Sequence, residues 1–210
     1  WQKAVDEFIP KMTDQVIENA LAMQPAEIRA LPHNQNIVAK LKERRQYLAE
    51  EVMKYYHFLA ETVTVTASDK EDLFDITRND DGSLVVQVYK LKDGQKADKK
   101  YERLFLGGET KEVRLFGFDG EDKFLIKGNN DKVKIRMIGG GGADIFEKED
   151  GGKGSSFVYD KKNGENKIIG KFKNKMSNDS DVNRFERISY NYNKASPGIA
   201  FGFNPDDGVF

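Results

Sequence analysis

The chain contains no cysteine, only two histidines and one tryptophan among its 210 residues. Without cysteine it can form neither disulfides nor thiolate metal sites. It also lacks an apolar run of about 18 residues, so no transmembrane helix is predicted. Its 34 basic residues are balanced by 35 acidic ones, which gives no basic surface for nucleic acid. We therefore do not expect a disulfide scaffold, a helical membrane protein or a nucleic-acid binder.

Residues for the common catalytic motifs are scarce as well. His33 and His57 do not neighbour a carboxylate cluster in the sequence, and no serine stands in a nucleophile elbow. The glycine run 139–142 lacks the lysine and the serine or threonine of a phosphate loop. We predict no catalytic residue and no enzyme activity. An enzyme is the third alternative, and it would need acid and base carboxylates that converge from separate strands.

The hydrophobic pattern divides the chain into residues 1–61, 62–174 and 175–210. In the first part apolar residues recur every three or four positions, which predicts helices; Asn34 or Asn36 is expected to cap the last one, which runs to about Ala60. From Thr62 the period is two, which predicts a β-rich domain. The third part is expected to hold a polar linker and the start of a following β-barrel. We expect the chain to be a fragment of a larger protein.

Two glycine–aspartate turns lie 22 residues apart in the β-rich part. The turn over residues 139–147 fits every position of G-G-x-G-x-D-x-U-x, the calcium-binding repeat of parallel β-rolls. The turn over residues 117–125 misses only the second glycine, and a third copy near residue 164 has lost its leading glycines. Three sets of residues share the 22-residue step: Gly120, Gly142 and Gly164; Asp122, Asp144 and Asn166; Phe124, Phe146 and Ile168.

This step predicts strand–turn coils that stack on one another. Together with the helical first part, it favours an α+β fold. In this fold an N-terminal helical segment packs on a β-rich domain, which ends in short coils of the β-roll or solenoid type.

The turns also offer carboxylates for a metal. Asp119 and Asp122 from one turn and Asp144 from the next could ligate Ca²⁺, which prefers six to eight hard oxygen ligands. The turns resemble the RTX-type β-roll repeats that bind this ion. The alternative is that each aspartate hydrogen-bonds its own backbone in a metal-free turn. Calcium is the only cofactor that the sequence suggests.

Several segments, in their order, resemble a region of large Bacteroidota surface proteins. They are Leu41-x-x-Arg44-Arg45-x-x-Leu48, Tyr55-Tyr56-x-x-Leu59, the strand 63–65, and the segments 109–117, 134–140 and 202–208. In those proteins such a region joins an N-terminal calcineurin-like phosphoesterase domain to a C-terminal outer-membrane barrel of the surface-antigen type. None of the phosphoesterase's metal ligands lies in these segments, so no catalytic residue is carried over. The resemblance implies a cell-envelope location, in the periplasm or at the surface, in association with the outer membrane.

From this resemblance we expect a non-catalytic connector that positions an exported domain relative to an outer-membrane barrel. Its partners would be the adjacent domains of the same parent chain and, through the barrel, the outer membrane; nucleic acid is not expected. The alternative is a surface module that binds glycan or protein and is stabilised by calcium. An exposed cluster of aromatic and Asn or Asp side chains would favour the alternative, and Tyr159, Tyr190 and Tyr192 are its first candidates.

Overall fold

The computed structural model of the chain describes residues 1–149, 154–186, 203–204 and 208–209, and for residues 32–35 it describes the backbone alone. The chain divides into two compact units, Trp1–Val63 and Thr64–Phe210. Helices form the first unit and β-sheets dominate the second, which confirms the α+β class. The packing of the helices on the sheets stays a prediction.

Four helices make up the first unit: α1 (Gln2–Phe8), α2 (Asp14–Ala22), α3 (Ala26–Arg29) and α4 (Pro32–Glu61), with a 3₁₀ turn at Ile9–Lys11. Thr13 caps α2, because its hydroxyl accepts a hydrogen bond from the backbone N–H of Val16. The cap predicted at Asn34 or Asn36 is wrong, since α4 already begins at Pro32. Proline suits the first turn of a helix because the N–H that it lacks would have no partner there.

The second unit contains β1 (Thr62–Thr66), β2 (Asp72–Arg78), β3 (Leu84–Lys92), β4 (Gln95–Phe105), β5 (Glu112–Asp119), β6 (Lys123–Lys127), β7 (Lys134–Gly141), β8 (Ile145–Lys148), β9 (Ser156–Tyr159), β10 (Lys167–Ile169) and β11 (Lys173–Asn174). A short helix, α5 (Ser180–Asn183), follows. The strand period that begins at Thr62 agrees with the sequence prediction, and so does the antiparallel hairpin of β2 and β3.

From β5 onward, successive strands alternate between two sheets. One sheet has the order β1-β5-β7-β9-β11, and the other has the order β10-β8-β6-β2-β3-β4. Neighbouring coil strands are parallel, and Leu115 pairs with Met137 while Phe124 pairs with Phe146. Both pairs are 22 residues apart, which confirms the predicted coil length. A β-roll, whose turns hold calcium, is not confirmed.

Apolar side chains from both sheets form the core of this unit. Phe74, Phe124 and Phe146 are fully buried and stack in one row, with ring centroids 4.6 and 5.0 Å apart. The other sheet contributes a second set of fully buried side chains: Val113, Leu115, Ile135, Met137 and Val158. Every second residue of a strand points to the same side, so the 22-residue register places like residues next to one another along the coils.

Near the end of the chain, β12 (Phe203–Asn204) pairs antiparallel with β13 (Gly208–Val209). This pairing agrees with the turn predicted over residues 204–208, while the proposed barrel stays a prediction. The rest of the predicted third part beyond residue 186 lies outside the described residues. Among the residues that the structure describes, no helix is long and apolar enough to cross a membrane.

Candidate functional site

One aspartate or asparagine per coil forms a hydrogen-bonded row inside the β-sheet unit. The backbone N–H of Asp72 donates to Oδ1 of Asp122, the N–H of Asp122 to Oδ1 of Asp144, and the N–H of Asp144 to Oδ1 of Asn166. Each of the three distances is 2.8 Å. We call these four residues the aspartate ladder. It joins consecutive coils through side chains, in addition to the bonds between strands.

Two glycines provide the space for the ladder carboxyls. A Cβ on Gly117 would overlap Oδ2 of Asp122, and a Cβ on Gly139 would overlap Oδ2 of both Asp144 and Asp160. The spacing Gly-x-x-x-x-Asp therefore has a steric cause, because the aspartate side chain lies against the Cα of the glycine five positions before it. This explains two glycines of the turn motif without any metal.

Asp122, Asp144 and Asp160 are fully buried, and Oδ2 of each has no hydrogen-bond partner among the described residues. Burial raises the pKa of Asp122 to about 7. Burial and the neighbouring Asp160 carboxyl raise the pKa of Asp144 to about 8. Burial also raises the pKa of Asp160. Two carboxylates without a proton would only repel each other, so we infer that Asp144 and Asp160 share one proton at neutral pH.

The first residue of the ladder has a different environment. Asp72 accepts hydrogen bonds from the backbone N–H and the hydroxyl of Ser68, at 2.9 and 2.8 Å. The ammonium of Lys90 lies 3.0 Å from Oδ1 of Asp72. A carboxylate with these donors is stabilised in its charged form. The ladder thus begins at an ion pair and continues into carboxyls that have no cation beside them in the described structure.

The three aspartates predicted to bind calcium do not share one environment. Asp122 and Asp144 are fully buried members of the ladder, whereas Asp119 is exposed at the end of β5. Among the described residues, no group of three or more His, Cys, Asp or Glu side chains is placed to hold a metal ion. The buried Oδ1 atoms are already engaged by backbone N–H groups. The structure adds no support for calcium, and the ion stays a prediction.

A buried arginine joins the other ends of the coils. Arg78, at the end of β2, donates to the carbonyl oxygens of Asn130 and Val133 at 2.7 and 2.8 Å. It also donates to the carbonyl of Ser155 and the hydroxyl of Ser156. Burial lowers the pKa of Arg78 to about 10. Because its donors are directed at backbone carbonyls of two later loops, this guanidinium holds loops together.

A polar cleft with an aromatic wall opens on the surface near the glycine–aspartate turns. Its volume is about 620 Å³, and Phe118, Phe185, Asp119, Asn163 and Asn178 are among its lining residues. The two rings meet edge to face at 5.4 Å. Phe118 has a φ of 79°, a left-handed conformation that is rare for a bulky residue and costs free energy. Such strain is found most often at functional sites.

The tyrosines proposed for ligand binding are not in this cleft. Tyr159 is buried, with 1% of its surface exposed, so its proposed role at an exposed surface is wrong. It packs with Phe116, Ile138 and Val182 because its side chain lies under α5 and not on a free strand face. Tyr190 and Tyr192 lie outside the described residues.

Sequence reasoning missed Asp160, Arg78 and the cleft. Asp160 lies outside the 22-residue period, so nothing in the repeat pattern indicates that it meets Asp144. Phe118 carried a weak signal, since it stands between Gly117 and the Asp119-Gly120 pair in a turn.

Comparisons with protein-family models, with curated proteins and with solved structures found no match to this chain. The resemblance to envelope proteins is therefore untested by relatives.

Proposed function

We propose that this chain is a non-catalytic connector that sets a fixed distance between the polypeptide segments before and after it. The observation that carries the proposal is the strand order of the five-stranded sheet. Its two edge strands are β1, where the chain enters, and β11, where the coils end. Each strand adds ~4.8 Å across a sheet, so the entry and the exit lie about 19 Å apart.

The buried polar groups support a structural role over a catalytic one. Asp144 and Asp160 resemble an acid–base pair in their raised pKa values, but both are fully buried. A substrate could reach them only if the coils separated. Together, the ladder and the donor groups of Arg78 give the coils cross-links that resist such separation.

In the wider setting, we propose that the connector belongs to a bacterial cell-envelope protein and positions an exported domain relative to an outer-membrane barrel. Its partners are then the neighbouring domains of the same parent chain. This setting rests on the resemblance of the segments 109–117 and 134–140 to envelope proteins.

The distance can be measured directly, because the chain has no native cysteine to interfere with labelling. Spin labels at Thr64→Cys and Asn174→Cys, both exposed positions of the β-sheet unit, report across the five-stranded sheet. Pulsed electron paramagnetic resonance should give one narrow distance distribution. A second variant duplicates residues 123–144, one whole coil, and should lengthen the distance by about 4.8 Å while keeping it narrow.

A matched control inserts 22 residues of Gly and Ser at the same point, and it should broaden the distribution because such linkers behave as flexible coils. The connector proposal fails if the unmodified chain already gives a broad or multiple distribution. It also fails if the duplicated coil and the Gly–Ser insert behave alike.

The cleft favours a second candidate function, the recognition of a glycan. Saccharides pack their C–H faces on aromatic rings and donate and accept hydrogen bonds with Asp and Asn side chains, and Phe118, Asp119, Asn163 and Asn178 offer both. The volume of about 620 Å³ lies in the usual range of small-ligand sites.

A glycan array probed with labelled protein tests this function, with Asn163→Ala/Asn178→Ala as the loss variant. Glu102→Ala, an exposed change on β4 away from the cleft, is the matched control. Binding that the double variant loses and the control keeps would support the glycan site; binding that both variants keep, or no binding to any glycan, would exclude it.

A further inference from the structure

The last strand of the six-stranded sheet has a free edge. β10 pairs with β8, and no strand among the described residues pairs with its other side. At the other end of the coils, β2 is covered by β3 and β4. Ile168 continues the row of Phe74, Phe124 and Phe146 but is 36% exposed, and its neighbour Ile169 is 50% exposed. The core of the coils is therefore open at one end.

The coils follow a pairing rule with two parts. In the first part, the backbone N–H of a ladder residue donates to the side chain of the next ladder residue, as Asp122 does to Asp144. In the second part, the carbonyl of a ladder residue accepts from the residue that follows the next ladder residue. The N–H of Ile145 donates to the carbonyl of Asp122, and the N–H of Lys167 to that of Asp144, both at 2.8 Å.

The rule is incomplete at Asn166, the last ladder residue. Within the described parts of the chain, neither its backbone N–H nor its carbonyl has a hydrogen-bond partner, whereas those of Asp122 and Asp144 are satisfied by the rule. An incoming strand that obeys the rule needs Asp or Asn opposite Asn166. Two positions later it needs an apolar residue that covers Ile168, as Phe146 covers Phe124.

We propose that the free edge of β10 binds an extended segment of another polypeptide with the pattern Asp/Asn-x-apolar, which adds to the sheet as a further parallel strand. Main-chain hydrogen bonds give such strand addition its affinity, and alternate side chains give it specificity. A second copy of this chain is a poor occupant. Its own segments of this pattern at Asp72, Asp122 and Asp144 lie in strands that are paired on both sides. The proposal holds whether or not the coils serve as a connector.

The probe is an acetylated, amidated and fluorescently labelled peptide that copies residues 142–148, Gly-Ala-Asp-Ile-Phe-Glu-Lys. We expect saturable binding to the whole chain by fluorescence anisotropy. Replacing the peptide's Asp by Ala, or its Phe by Ser, should weaken binding at least tenfold. Replacing its Glu by Gln is the matched control and should change the affinity less than twofold, because this residue is outside the pattern.

The site on the protein is tested with Ile168→Pro. Residues of a parallel strand direct their N–H groups to alternate sides, and Lys167 directs its own to β8. The N–H of Ile168 therefore points to the free edge, and proline removes it without breaking the pairing to β8. We expect at least a tenfold loss of peptide affinity with an unchanged melting temperature. If this variant does not fold, Ile168→Asp tests the same position by placing a carboxylate opposite the apolar residue of the peptide.

Amide hydrogen exchange followed by NMR locates the contact. The amides of Asn166 and Ile168 should exchange quickly in the free chain and slowly with the peptide bound, whereas Lys167 should be protected in both. The proposal is overturned if the peptide does not bind, if its Asp and Phe variants bind equally well, or if Ile168→Pro binds normally. It is also overturned if Asn166 and Ile168 are already protected in the free chain, or if the chain itself dimerises through this edge.

Discussion

At the scale of single residues, the glycine–aspartate turns are explained by the fit between a glycine and a buried carboxyl. The Oδ2 atoms of Asp144 and Asp160 occupy the space that a side chain at position 139 would need. Burial of carboxyls without hydrogen-bond partners costs free energy, and protonation reduces this cost. Steric fit and proton binding at these residues can be tested separately.

Gly139→Ala should destabilise the chain by about 1–3 kcal/mol, the usual cost of overpacking a core. The added methyl would lie under 3.0 Å from two fully buried carboxyl oxygens, and neither can move into solvent. Gly108→Ala is the matched control, since a Cβ there meets nothing within 4 Å and should leave stability nearly unchanged. Urea unfolding measures both. Equal stability of the two variants would contradict the steric role of Gly139.

The buried carboxyls should make stability fall as the pH rises from about 5 to about 8. The folded pKa values of Asp122 and Asp144, about 7 and about 8, lie above the ordinary 3.8. Between these limits the folded chain holds more protons than the unfolded chain, so the free energy of unfolding decreases with pH, by up to a few kcal/mol. Urea unfolding at pH 5, 6, 7 and 8 should show this decrease.

Asp144→Asn should flatten the pH profile and stabilise the chain at pH 8. The amide keeps an oxygen for the N–H of Asp122 and gains an N–H for Asp160, and Asn166 already fills one ladder position in this way. Asp119→Asn, at an exposed position, is the control. Bound calcium would reverse the trend, because the ion needs ionised ligands. A melting temperature that CaCl₂, but not MgCl₂, raises over EDTA most strongly at pH 8 would support the calcium prediction and contradict the shared proton.

At the scale of strands and coils, the row of apolar side chains at the 22-residue step holds the β-sheet unit together. Phe124 lies in the middle of this row, between Phe74 and Phe146, and is fully buried. Ile168 ends the same row and is partly exposed. The contribution of each position should therefore depend on whether it has a coil on both sides.

Phe124→Ala should cost about 3–5 kcal/mol, as expected for a buried phenylalanine with no room for the cavity to collapse. Ile168→Ala, at the open end of the row, should cost clearly less. Thermal and urea unfolding compare the two variants. Similar losses would mean that the open end is covered as well as the middle, which would also count against strand addition at β10.

The period of this element was predictable from the sequence, while the direction of its polar side chains was not. Glycines and apolar residues at a 22-residue step are visible in one chain, because each coil repeats the same backbone shape. An aspartate in such a turn can point outward to a metal or inward to a backbone N–H, and the local residue pattern is the same for both. Asp160 gave no signal at all, since its contact with Asp144 depends on how the coils stack.

At the scale of the whole molecule, the two units differ in how much apolar surface they bury. In the helical unit, Val5, Ile17 and Ala60 are the only apolar side chains fully buried among the described residues, and Tyr55 and Phe58 are 55% and 71% exposed. Exposed ion pairs such as Arg45 with Asp14 join α2 to α4, and such pairs contribute little to stability. The β-sheet unit has a continuous core that is cross-linked by the ladder.

We therefore expect the helical unit to unfold at a lower urea concentration than the β-sheet unit, so that unfolding is not two-state. The single tryptophan is a selective probe, because Trp1 packs on Tyr56 within the helical unit, with ring centroids 5.6 Å apart. Tryptophan fluorescence should change first, while hydrogen exchange measured by mass spectrometry keeps residues 112–119 of β5 protected until a second transition. Hydrophobic burial scales with the area removed from water, and the sparse burial in the helices gives them less resistance to urea. Coincident transitions by both probes would show that the helical unit gains its stability from contacts beyond its own core.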